Sequence, residues 1–234
     1  MPARRCERCS NPADASGVHI LVTRPQPGAA ATAARLRALG HVATLAPLLC
    51  VEALPWEPPS AAPSAIMLTS GAAARLACAG AFHALPTYAV GAATARTARE
   101  AGFVDVRDGG GTAQALLDRV AVAGFGDILH LAGADRVAVS VPTGLCVTTI
   151  VVYRARLLPL VAPPVADWVL LYSPRTARHF AAEVVRLGQD RTGIAIAAIS
   201  PAALAAAGPG WRDARAAMRP DEDALLAVMG ISWQ

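Results

Sequence analysis

The sequence predicts an α/β protein built as two similar three-layer α/β/α lobes with mainly parallel sheets, joined by a two-strand tether. Three observations lead there. The run Ala65-Ile66-Met67-Leu68-Thr69-Ser70-Gly71-Ala72-Ala73-Ala74-Arg75 is echoed by Trp168-Val169-Leu170-Leu171-Tyr172-Ser173-Pro174-Arg175-Thr176-Ala177-Arg178. A second pair keeps the same order: Tyr88-Ala89-Val90-Gly91-Ala92-Ala93-Thr94-Ala95 answers Ala197-Ala198-Ile199-Ser200-Pro201-Ala202-Ala203-Leu204. Each is an apolar run, a small residue and an Ala-rich stretch, which is the strand-to-helix step of a parallel sheet. Third, Val147 to Tyr153 is strongly β-branched and suits a strand running back beside 48–51, so that the two form the tether.

The elements follow in order. Residues 1–17 are expected to be a disordered leader. Val18 to Val22 is a buried strand ended by Thr23-Arg24-Pro25, and Ala29 to Leu39 is a helix closed by Gly40. Val42 to Leu45 is the next strand. Pro55, Pro58, Pro59 and Pro63 mark an irregular stretch. Strand Ala65 to Leu68, a helix from Ala72, a strand from Thr87 to Val90 and a helix from Ala92 to Ala101 follow. Val104 to Val106 is a short strand, Gly109 to Gly111 a bend, Thr112 to Val122 a helix and Asp127 to Leu131 a strand. Gly102 and Gly208 stop helices of the two echoes. The first lobe is then discontinuous, 18–47 plus 154–234, and the second is 52–150, with tether strands near 48–51 and 147–153. Two such lobes leave a cleft that strand-end residues would face.

Composition narrows the chemistry. The 234 residues are 54% apolar and 16% charged, enough for a full core. Aromatic residues are 5%, too few for a base-stacking platform. The net charge is +4, but the Arg residues are scattered beyond Arg4, Arg5 and Arg8, so nucleic acid is not an expected partner. No Lys is present, which excludes a Schiff-base amine and a P-loop Lys. Cys6 and Cys9 form a lone Cys-x-x-Cys without a second pair, so no metal is expected. No run is apolar enough to span a bilayer and the first residues lack a signal-peptide pattern, so a cytoplasmic location is expected.

Motifs for several chemistries fail. Gly124-Phe125-Gly126 precedes a strand, the wrong side for dinucleotide binding, and no G-x-S-x-G is present. His19 and His130 lie inside apolar strand runs, where a core or strand-edge role is the default. Asp221-Glu222-Asp223 reads as acids at a helix start. What remains is a row of small polar residues at strand ends: Thr23, Thr69, Ser70, Thr94, Ser173 and Ser200. Singly these are helix caps. Converging on one cleft, helix starts with free N–H groups would hold a polycarboxylate without Lys. Tyr153, at the end of a tether strand, is either a packing residue or a phenol that donates a proton to a leaving group.

The ordered set Val22-Thr23-Arg24-Pro25, Leu68-Thr69-Ser70, Val90 to Ala95, Val152-Tyr153-Arg154, Ser173-Pro174 and Ala198-Ile199-Ser200-Pro201 resembles the uroporphyrinogen-III synthase family. The resemblance implies an active site between two lobes and no cofactor. It implies cyclisation of hydroxymethylbilane, with loss of water to an azafulvene and inversion of the last pyrrole through a spiro intermediate. It makes Tyr153 the catalytic residue that assists hydroxyl departure. It makes Thr23, Arg24, Pro25, Thr69, Ser70, Gly71, Gly91, Thr94, Gly133, Ser173, Pro174, Arg175 and Ser200 substrate-binding, largely through backbone N–H groups. It also implies a monomer with possible handover from hydroxymethylbilane synthase. Departures from the family pattern are Ala203 in place of a frequent Thr, Arg175 in place of a small residue, Asp221 near a frequent Thr or Ser, and 137–145, where an expected helix is reduced. They motivate a second reading, a tetrapyrrole-binding or regulatory module that has lost catalysis. A third is a generic sugar or nucleotide binder.

Overall fold

The structure, a computed structural model, describes residues 17–231. The predicted leader and Cys6/Cys9 lie outside the described residues, Gly17 excepted. The chain divides into two compact units, one formed by residues up to Cys50 and from Leu157, the other by Val51–Arg156.

In the first unit, β1 (His19–Val22), β2 (Val42–Leu45), β9 (Trp168–Leu171), β10 (Ala195–Ala198) and β11 (Asp213–Ala216) form a parallel sheet in the order β11-β10-β9-β1-β2. Side chains alternate across its faces, as the period of a strand requires. Leu21, Val169, Leu171, Ile196 and Ala198 pack against α5 (Pro174–Arg186) and α6 (Pro201–Ala207). Ile20, Val22, Leu170 and Ala197 face α1 (Gly28–Ala38) and α7 (Glu222–Ala227). That is the three-layer arrangement the echoes imply. Strand β11 was not among the expected elements. Its sequence Asp-Ala-Arg-Ala has no apolar run, because an edge strand beside β10 needs few buried side chains.

In the second unit the sheet order is β3-β8-β7-β4-β5-β6. These strands are β3 (Leu49–Ala53), β4 (Ala65–Leu68), β5 (Thr87–Ala89), β6 (Val106–Asp108), β7 (Asp127–Gly133) and β8 (Cys146–Leu157). Strand β4 pairs in parallel with β5 and β7, β5 with β6, and β7 with β8. Ile66, Leu68, Leu129, Leu131 and Val152 pack under α2 (Gly71–Leu76) and α3 (Ala92–Glu100). Ala65, Met67, Tyr88 and Ile128 pack on α4 (Ala113–Val122). The chain passes between the units twice, within or beside β3 and β8, the two segments read as the tether. Strand β8 is longer than the expected 147–153, and β6 starts at Val106 rather than ending there. Residues 137–145 carry no helix.

Glycines end helices where a left-handed backbone is needed. Gly102 (φ 100°) follows α3 and Gly208 (φ 72°) closes α6, a conformation that costs residues with a Cβ.

Candidate active site

The carboxyl ends of parallel strands carry the loops that enter helices, and ligands gather there. In the second unit, β4 ends at Leu68 and hands Thr69 and Ser70 to α2; β5 is followed by Val90; β7 ends at Gly133 and runs into Asp135, Arg136 and Val137. These residues, with Ala113, His130 and Tyr153, line a cavity of about 510 Å³.

A register change places Tyr153. Strand β8 follows β7 residue for residue up to Ala132↔Val151, then skips one residue to pair Gly133 with Tyr153. Such a bulge breaks alternation. Ile150 and Val152 point to the α2/α3 side, and Tyr153, the very next residue, packs against the same cluster. The phenol donates to Ser70 Oγ at 2.9 Å. Ser70 Oγ in turn accepts from the backbone N–H groups of Ala72 (3.1 Å) and Ala73 (3.4 Å), capping α2. Gly133 lies under the ring: a Cβ built there would stand 2.5 Å from Tyr153 Cζ and 2.7 Å from its hydroxyl oxygen. Only glycine leaves room for the ring in this position.

His130 forms part of the same cavity. It is 5% exposed, and its Nε2 lies 3.1 Å from Thr69 Oγ1 and its Nδ1 3.4 Å from Thr149 Oγ1. Burial, and then the Arg136 charge, push its pKa down to about 4, so the ring is neutral near pH 7. Its place inside an apolar strand run predicts a core or strand-edge residue. It is buried, but it also edges the cavity. Arg136 and Asp135 had no motif at all; the signal that would have found them is their place just beyond a parallel strand's carboxyl end.

The other expected site residues of this unit stand close by in the fold. Gly71 opens α2, and a Cβ there would meet Thr97 Oγ1 at 3.2 Å, so it also sets the close approach of α3. Gly91 is the N-cap of α3 and Thr94 is buried in its first turn. Thr69 and Thr94 are not caps, since Thr69 pairs with His130 and no side chain caps α3.

In the first unit, Ser173 caps α5 by accepting from Thr176 N at 3.1 Å, with Pro174 and Arg175 opening that helix. Ser200 caps α6 by accepting from Ala203 N at 3.2 Å. Thr23 is not a cap either: it is fully buried and its hydroxyl donates to the Leu170 carbonyl. Arg24 lies 4.8 Å from the centre of the Tyr172 ring and 3.7 Å from Glu222. Burial raises the Tyr172 phenol to about 12. The Pro25 carbonyl accepts from Ala29 N at 3.1 Å. Asp221 caps α7, accepting from Ala224 N at 2.8 Å, as its position before an apolar run predicts.

Among the described residues no cluster of metal ligands occurs, and no helix is long and apolar enough to cross a membrane. Two solved structures share the fold. Uroporphyrinogen-III synthetase from Helicobacter pylori 26695 is 16% identical, with 91% of this chain and 98% of that one covered at a TM-score of 0.61. A mutant uroporphyrinogen III synthase from the extremely thermophilic bacterium Thermus thermophilus is 15% identical, with 92% and 97% covered at a TM-score of 0.50. No curated protein sequence matches. The family model for uroporphyrinogen-III synthase HemD matches residues 30–227. That match spans both units and most of the chain, which therefore belongs to the uroporphyrinogen-III synthase HemD family.

Proposed function

We propose that Tyr153 is the proton donor for the reaction of this family. The chain is a hydro-lyase that cyclises hydroxymethylbilane, with loss of water and inversion of the terminal pyrrole, to uroporphyrinogen III. The observation that carries the role of Tyr153 is its hydroxyl, aimed into a polar-edged cavity and hydrogen-bonded to Ser70 Oγ. In this reading the phenol protonates the departing hydroxyl as the pyrrole nitrogen pushes electrons outward. Water leaves and the azafulvene remains in its N-protonated, cationic form. Ser70, itself held by the Ala72 and Ala73 N–H groups, hydrogen-bonds the resulting phenolate. The substituted carbon of the last ring attacks, the spiro intermediate opens and recloses inverted, and the proton lost on rearomatisation returns to the phenolate. Much of the remaining acceleration is positioning, because the two ends of a flexible chain must meet.

The proposed binding residues are Thr69, Ser70, Gly71, Gly91, Thr94 and Gly133 of one unit, and Thr23, Arg24, Pro25, Ser173, Pro174, Arg175 and Ser200 of the other. Thr23 would act through its backbone, since its hydroxyl is committed to Leu170. We propose further that the chain works as a cytoplasmic monomer and takes its substrate from hydroxymethylbilane synthase, which would limit spontaneous closure to isomer I.

The test is isomer separation after incubation with fresh hydroxymethylbilane. Wild type is expected to give mainly isomer III, and Tyr153→Phe to slow its formation by more than about tenfold, within the range of a general acid. Undiminished turnover in Tyr153→Phe removes Tyr153 from the mechanism. Isomer I alone from wild type favours the binding-module reading.

A further inference from the structure

The cavity around Tyr153 contains a second group of side chains that the proton transfer does not use. His130 holds Thr69 Oγ1 at 3.1 Å from one ring nitrogen and Thr149 Oγ1 at 3.4 Å from the other. A neutral imidazole donates at one nitrogen and accepts at the other, and hydroxyls can answer both. The ring is thus fixed from two sides, and Thr69 with it. Arg136 follows β7, lines the same cavity, is exposed, and makes no ion pair among the described residues. Asp135 also lines the cavity, while Val90, Ala113 and Val137 supply its apolar wall.

We propose that Arg136, together with the Thr69 hydroxyl positioned by His130, forms a subsite for one carboxylate of the substrate beside Tyr153. The proposal rests on the reaction assigned above, whose substrate carries several carboxylates. A guanidinium matches a carboxylate with paired N–H groups, and a fixed hydroxyl adds direction. Because the imidazole stays uncharged, it orients Thr69 without adding a second cation, and Arg136 is the cationic group that lines the cavity, next in sequence to the Asp135 carboxylate. Arg136 binds and His130 is a positioning residue. Anchoring a ring substituent here sets where the hydroxymethyl end lies relative to the phenol.

The experiment compares wild type with Arg136→Gln and Arg136→Lys in two assays: formation of isomer III, and binding of uroporphyrin III followed by its fluorescence. In Arg136→Gln the Kd for uroporphyrin III and the KM for hydroxymethylbilane are expected to rise about tenfold, the size of one charge-assisted hydrogen bond, with kcat falling far less. Arg136→Lys is expected to recover part of the loss, and Thr69→Val to weaken binding where Thr69→Ser does not. The His130 imidazole resonance is expected to titrate at higher pH in Arg136→Gln, since a neighbouring positive charge is gone. Equal affinity of wild type and Arg136→Gln for uroporphyrin III overturns the subsite, whatever the turnover. Weakened binding in Arg136→Gln, with wild type giving no isomer III, leaves the subsite standing and rejects the reaction instead.

Discussion

His130 shows how one side chain links the site to stability. In the unfolded chain its pKa is near 6.5, and in the folded protein burial and Arg136 bring it down to about 4. Between these values the unfolded state binds the extra proton, so stability is complete above about pH 6.5 and is lost as pH falls toward 4. The contribution is on the order of 3 kcal/mol at the acid end. Urea unfolding at a series of pH values is expected to show that decline in wild type and a shallower one in His130→Gln; parallel profiles reject the assignment. Such a residue is poorly legible in sequence. Ile128-Leu129-His130-Leu131 reads as core, and the burial is correct, but the hydroxyls that bond the ring come from Thr69 and Thr149, 61 and 19 residues away. Tyr153 was legible because it stands at the end of a β-branched run. Its partner Ser70 was legible as a helix cap, which it is, and as a strand-end binding candidate, but not as the acceptor of the Tyr153 hydroxyl.

At the scale of elements, the repeated strand–helix steps were readable because parallel strands are continuous apolar runs and their helices begin with small polar residues. Ser70, Ser173, Ser200 and Asp221 cap helices as that logic requires. Thr23, Thr69 and Thr94 do not, because tertiary partners or burial claim their side chains. The irregularity in β8 was not readable at all. A bulge depends on the neighbouring strand, and nothing in Val151-Val152-Tyr153 announces the skip opposite Ala132 and Gly133. That skip makes Gly133 a demanding position. Gly133→Ala places a methyl within 2.5–2.8 Å of two ring carbons and the hydroxyl oxygen of Tyr153, closer than van der Waals contact allows. The ring must swing from Ser70. Isomer III formation is expected to fall by more than about tenfold, as proposed for Tyr153→Phe, with circular dichroism unchanged. Full activity in Gly133→Ala shows that the ring does not work from its place over Gly133.

At the scale of the whole molecule, the first unit is discontinuous, and the sequence does not announce how its returning segment is fastened. The chain leaves at Cys50 and comes back at Leu157 after a whole intervening unit, and closing so long an excursion has an entropic cost that grows slowly with length. Four contacts within the first unit hold the return. Leu158 N donates to Leu48 O at 2.9 Å, and His179 Nε2 lies 2.7 Å from Leu158 O. Leu160 N donates to Glu183 Oε2 at 2.7 Å, and Arg186 donates to Leu160 O at 2.8 Å. Glu183 is the centre of this clamp, and Arg186 holds its carboxyl below the ordinary carboxylate range. Glu183→Ala strands a buried Leu160 N–H without its acceptor and is expected to cost about 2 kcal/mol. Each unit has its own core clusters, so the loss belongs to the first unit. Hydrogen exchange in rising urea is expected to show residues 18–50 and 157–231 losing protection earlier than in wild type, while residues 51–156 keep theirs. Earlier loss in residues 51–156 as well means that the two units unfold as one cooperative body, and that the clamp stabilises the whole chain rather than the unit it fastens.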